Sequence, residues 1–182
     1  MENKTYNIFT GQGWRGTEYA DEYTGATKYG WTYQGALTWE EFVGEMKTPV
    51  KVNMTHADFM NLKGDSQKRV KDVKGFFAGT LCEKNVTRTL KAGKTLVPKT
   101  NDTVLNRTMV TLDAEGGDDN GGPMDRDTAD EMLMSASTVL ECAGLAYPTA
   151  KCTEEDQRWR LVFPLDRPVS PDEYENLVDA IS

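Results

Sequence analysis

The chain has 182 residues, 38% of them apolar and 27% charged, a composition that suits a folded chain with its own core and argues against a disordered one. The net charge is −8 and the sequence pI is about 4.8. That sign is wrong for gripping nucleic acid over a broad surface, and leaves a local basic groove, docking on another protein's basic surface, or simply a well-solvated surface. No segment approaches the roughly 20 apolar residues of a membrane span. The start, Met1-Glu2-Asn3-Lys4-Thr5, lacks the basic and apolar stretches of a signal peptide. Cys82, Cys142 and Cys152 are odd in number and form no CxxC pair, which points to free thiols in a reducing compartment. The expected location is the cytoplasm of whatever cell hosts the protein.

In chain order, residues 6–9 form a short strand candidate, followed by a Gly- and aromatic-rich stretch read as hairpins or loops. Thr38-Trp39-Glu40-Glu41 is a capping box, and Trp39, Phe42, Val43 and Met46 follow at helical spacing until Pro49. A second short helix starts at Thr55 and runs through Phe59, Met60 and Leu62 to Gly64. Residues 75–81 read as a strand, 83–100 as a basic hairpin around Ala92-Gly93, and 106–115 as a strong strand. The glycine- and aspartate-rich run 116–123 breaks that strand. A helix is expected over 128–143, with Ala129, Met132, Leu133, Ala136, Val139, Leu140 and Ala143 on one face and Gly144 ending it. Residues 158–165 read as a strand bounded by Pro164 and Pro168, and Ser170-Pro171-Asp172-Glu173 opens a last helix. The pattern is α+β, a mostly antiparallel sheet with flanking helices. Residues 1–36 are set apart as a Gly- and aromatic-rich extension, and 37–182 as the main domain.

Three motifs bear on chemistry. Residues 11–16 spell GxGxxG, but neither a convincing helix nor a βαβ unit follows, so a glycine-rich loop is the expectation. Asp113 and Glu115 lie two apart at a strand end, on one face, where a carboxylate pair can hold Mg²⁺ or Mn²⁺. The plainer alternative is two acids marking the strand's exit from the sheet. Lys151, Arg158 and Arg160 form a basic set, the two arginines on one strand face and each able to fork onto phosphate. Here the alternative is a solvated basic face paired with the acidic segment 113–130. Asp118, Asp119, Asp125 and Asp127 are the acidic candidates for contact with a partner. His56, the only histidine, reads as an ordinary surface or cap-region residue. Trp14, Tyr19, Tyr23, Tyr29 and Trp31 suit either a core or an interface.

Taken in order, these segments resemble the N-terminal region of phage and prophage primases of the virulence-associated protein E type. The pieces that carry the likeness are Trp39-Glu40-Glu41-Phe42, residues 71–79 (KDVKGFFAG), 106–115 (NRTMVTLDAE), 149–153 (TAKCT) and 158–170 (RWRLVFPLDRPVS). Coverage is roughly residues 38–182. The resemblance implies a truncated archaeo-eukaryotic primase core, with Asp113 and Glu115 as a vestigial metal pair. It makes Lys151, Cys152, Arg158 and Arg160 a vestigial nucleotide-phosphate site. Cys152 stands where the family carries a phosphate-contacting histidine, the first motif is Asp-x-Glu rather than Asp-x-Asp, and a third acidic motif is missing before residue 182.

On that basis nucleotidyl transfer is doubtful, and two functions follow as expectations. The first is a non-catalytic, nucleic-acid-mimicking phage or mobile-element protein. It would bind a guide-RNA-loaded Cas9-type nuclease and block DNA binding or cleavage. Size and composition are also similar to those of anti-CRISPR proteins. The second is a primase-like nucleic-acid- or nucleotide-binding module of a phage replication system. No cofactor is required by the first; Mg²⁺ or Mn²⁺ enters only if the carboxylate pair is functional. Direct DNA or RNA contact and homo-oligomers are left open, and no membrane partner is expected.

Overall fold

The computed structural model describes residues 4–11, 17–20, 27–48, 50–71, 74–81, 88–89, 95–97, 99, 103–116 and 124–181, with backbone alone at 17–20, 27–29, 88–89 and 95. The chain forms two compact units, Met1–Asn106 and Arg107–Ser182. Both combine antiparallel strands with helices, as expected for α+β.

In the first unit, β1 (Thr5–Gly11) is the middle strand of three, between β4 (Thr32–Thr38) and β5 (Gly75–Leu81). Thr5 stands opposite Thr38 and Ile8 opposite Ala78, both antiparallel. The β1–β4 register slips between Ile8 and Phe9, where Ile8 faces Gly35. Gly35 has φ 135°, a backbone state that L side chains rarely adopt, so the absence of a Cβ is what allows the bulge. Two short antiparallel pairs accompany this sheet: β2 (Thr17–Ala20) with β3 (Thr27–Gly30), and β6 (Arg88–Thr89) with β7 (Thr95–Leu96). The β6–β7 pair fits the expected hairpin, whose Ala92-Gly93 tip lies outside the described residues. Trp31 and Val97 exchange backbone hydrogen bonds of 2.7 and 2.8 Å. Trp31 joins Phe9, Phe77, Leu81 and Val97 in a buried cluster, so it is a core residue. Trp14 and Tyr23 lie outside the described residues.

Helix α1 (Trp39–Met46) opens on the expected capping box. The Glu41 N–H donates to Thr38 Oγ1 at 3.2 Å, and the Thr38 N–H donates to Glu41 Oε2 at 2.8 Å. Its Phe42 is buried and packs edge-to-face with Phe76, the ring centroids 4.9 Å apart. Helix α2 (His56–Asn61) is capped by Thr55 and buries Phe59. It stops short of Gly64, which instead starts a further helix, α3 (Gly64–Lys71). This helix escapes a periodicity test because it buries no residue. Its half-buried Gln67 donates to the Phe59 carbonyl at 3.4 Å.

In the second unit, β10 (Arg158–Val169) is the middle strand between β8 (Val104–Glu115) and β9 (Leu145–Pro148), all antiparallel. The side-chain period of two sorts the sheet into faces. One face sets Val110, Leu112 and Ala114 beside Leu161, Phe163 and Leu165. Helices α4 (Arg126–Val139) and α5 (Pro171–Ile181) cover it with Met132, Leu133, Ala136, Tyr174, Leu177 and Val178. Phe163 is 0% exposed, and truncating such a side chain to Ala typically costs about 3–5 kcal/mol.

Two expectations need correction here. Helix α4 ends at Val139 rather than at Gly144: Leu140 is its C-cap and Glu141 turns left-handed at φ 51°. Strand β10 passes both prolines to Val169. Its pairing with β8 becomes irregular after Pro164 and resumes at Val169 opposite Arg107. An irregular stretch is where a residue without an N–H is tolerated in a strand.

Candidate functional site

The opposite face of β8, β10 and β9 brings both chemical motifs together. Arg160 stands in register with Asp113 on one side and Tyr147 on the other, and Arg158 stands opposite Glu115. The sequence places each pair on one strand face; the strand register makes them one site. Arg160 donates from Nε to Asp113 Oδ1 at 2.6 Å and from a terminal nitrogen to Oδ2 at 3.0 Å, a forked pair. Arg158 donates to Glu115 Oε2 at 3.2 Å. Its Nε and other terminal nitrogen reach Asp156 Oδ2 at 3.1 and 2.9 Å.

Burial opposes the Arg160 charge, but hydrogen bonding to Asp113 and the field of Tyr147 outweigh it, so the guanidinium is held above its ordinary value. Hydrogen bonding to Asp156 does the same for Arg158. Burial pushes the Tyr147 hydroxyl up, against the pull of Arg160. Both arginines therefore remain charged and oriented at any relevant pH.

Lys151 and Cys152 lie in the turn that joins β9 to β10. That turn is closed by Thr149 N–H to the Arg158 carbonyl at 2.8 Å and Cys152 N–H to the Thr149 carbonyl at 3.0 Å. Thr153 and Asp156 brace it: the Asp156 N–H donates to Thr153 Oγ1 at 2.9 Å. Lys151 and Cys152 thus belong to the same hairpin as the arginines. Asp118 and Asp119 lie outside the described residues. Asp125 is the N-cap of α4, accepting from the Thr128 N–H at 2.8 Å, and this bond holds its carboxyl below the usual range. Asp127 is exposed in the first turn of α4. His56 is exposed, its ring 6.2 Å from that of Phe59. The sequence reading missed Asp156 and Tyr147. Asp156-x-Arg158 spacing was the available signal for the first; Tyr147 sits on a four-residue strand too short to show a period.

The donor set does not fit a resident divalent cation. Asp113, Glu115 and Asp156 each already hold a guanidinium at 2.6–3.2 Å. Among the described residues no group of three or more His, Cys, Asp or Glu side chains is arranged for a metal. A divalent cation at Asp113 and Glu115 has to displace the two guanidiniums that already hold them. Among the described residues no helix is long and apolar enough to cross a membrane.

This site lies within a region that matches a known family. Residues 23–182 match the model of the VapE N-terminal domain, and the chain belongs to that family. The match assigns it to the replication-associated modules of phages and prophages. No curated protein and no solved structure gives a significant match.

Proposed function

We propose that the chain serves phage replication as a primase-like binding module rather than as a nucleotidyl transferase. The observation that carries this is the cross-strand pairing of Asp113 with Arg160 and of Glu115 with Arg158. Carboxylates used in this way orient arginines. Oriented guanidiniums with donors to spare recognise phosphate, and Lys151 in the adjoining turn adds a third positive charge. The ligand class is a nucleotide or the phosphates of a template strand. Calorimetry with a nucleoside triphosphate tests this. Binding persists in a chelator, and Arg160→Ala weakens it by about tenfold. Mn²⁺-dependent primer synthesis that disappears in Asp113→Ala overturns it.

A second reading keeps the scaffold and changes the partner: inhibition of a guide-RNA nuclease of Cas9 type. The observation in its favour is charge. The unit Arg107–Ser182 holds 17 acidic residues against 6 lysines and arginines, and Asp125, Asp127, Asp130 and Glu131 are exposed together at the start of α4. Such a surface suits a basic, nucleic-acid-binding channel. Cleavage by guide-loaded nucleases that is unchanged by equimolar protein removes this reading.

A further inference from the structure

We infer that helix α3 and the residue before it form a docking surface for the phosphodiester backbone of a nucleic acid, separate from the arginine site. The charge balance of the two units is opposite. Met1–Asn106 holds 15 lysines and arginines against 12 acidic residues, although the whole chain is at −8. The excess is concentrated: residues 47–74 hold seven lysines and arginines against three acidic residues.

Lys68, Arg69 and Lys71 fall in the last turn of α3, directly after Lys63 at its entrance. The helix turns about 100° per residue, so Lys68, Arg69 and Lys71 wrap around its last turn; Arg69 and Lys71 are exposed, and Lys68 is half-buried like Gln67 and Val70. Basic residues at a helix C-terminus also complement the helix dipole. That need does not account for them, because α1, α2, α4 and α5 have no basic residue in their last turns. Among the described residues, none of Lys63, Lys68, Arg69 and Lys71 is ion-paired, whereas nearby Lys74 pairs with Glu45 at 3.5 Å. Asp65 is the one acidic residue on the exposed side of α3 and makes no ion pair with them. The helix buries nothing, so these charges are not held there by core packing. Four cations without an ion pair, three of them exposed, gather on one short helix and the residue before it and can neutralise phosphates of a polynucleotide strand, each of which then releases counterions. The inference extends the replication-module reading, and needs nothing from the Arg160 site.

The test is a salt titration of the full chain against labelled single-stranded and duplex 20-mers, comparing wild type with K63A/K68A/R69A/K71A. Alanine preserves helix propensity; a second set with glutamine and a thermal midpoint guard against misfolding. The expected result is binding weakened by on the order of tenfold or more, with a log K versus log salt slope shallower by about three to four. Arg126→Ala, which removes one exposed charge elsewhere, should bind as wild type does. The two oligonucleotide arms report which strand form the surface takes. An unchanged affinity and slope in the quadruple variant overturns the inference, as does a wild type that binds neither oligonucleotide. So does a basic face whose loss abolishes self-association instead, since the acidic second unit of another copy would then be its partner. Failure of nucleotide binding at Arg160 contradicts the proposed function alone, because the oligonucleotide difference does not read that site.

Discussion

Arg160 holds Asp113 from the directly opposite position on the neighbouring strand, with contacts of 2.6 and 3.0 Å to the two carboxylate oxygens. The forked geometry favours the pair, but the side chains are 39% and 51% exposed. Solvent screening therefore limits its worth to about 0.5–1 kcal/mol. A double-mutant cycle with Asp113→Ala and Arg160→Ala should return a coupling of that size in urea unfolding, falling in high salt. A coupling of zero would mean that the pair does not orient the guanidinium.

Gly144 gives a packing test. A Cβ built there runs onto the ring edge of fully buried Phe163 and lies 2.8 Å from Leu133 Cδ1. Phe163 is fully buried, so Gly144→Ala should lower stability by about 1–3 kcal/mol through overpacking. The urea midpoint measures it, and a midpoint equal to wild type would show that the α4–β10 contact is looser than described.

The start of α5 sets an acid-side expectation. Glu173 accepts from Arg167 at 2.9 Å and from the Ser170 N–H at 2.9 Å. Arg167 first, then Ser170, hold its carboxyl at about 2 instead of the ordinary 4.5. A depressed carboxylate contributes stability above its unfolded value, and that contribution is lost as pH falls from about 4.5 toward 2. Glu173→Gln should therefore lose less stability than wild type over this window. Parallel urea curves at several pH values check it; identical acid limbs would contradict it.

How much of this was legible in the sequence differs by element. The capping boxes at Thr38 and Ser170 and the apolar stripes of α1 and α5 announce themselves because cap chemistry and helical period are local. Helix α3 hides because it has no buried face to create a period. The α4 terminus is misplaced because Gly144 suggests a C-cap, whereas the residue serves close packing on Phe163 and Glu141 makes the turn. For the site, two-residue spacing puts Asp113 with Glu115 and Arg158 with Arg160. That the two pairs meet depends on the register of strands more than 40 residues apart, which no local pattern encodes. Tyr147 enters the site only through the β9–β10 register, whereas Asp156 enters it by local contact with Arg158 two residues on.

The arginine-filled carboxylate pair is the centre of this account, and Mn²⁺ binding followed by electron paramagnetic resonance tests it most directly. Wild type should leave the Mn²⁺ free, whereas Arg158→Ala with Arg160→Ala should release Asp113 and Glu115 to take up the ion. Uptake by wild type that is abolished in Asp113→Ala would contradict the account.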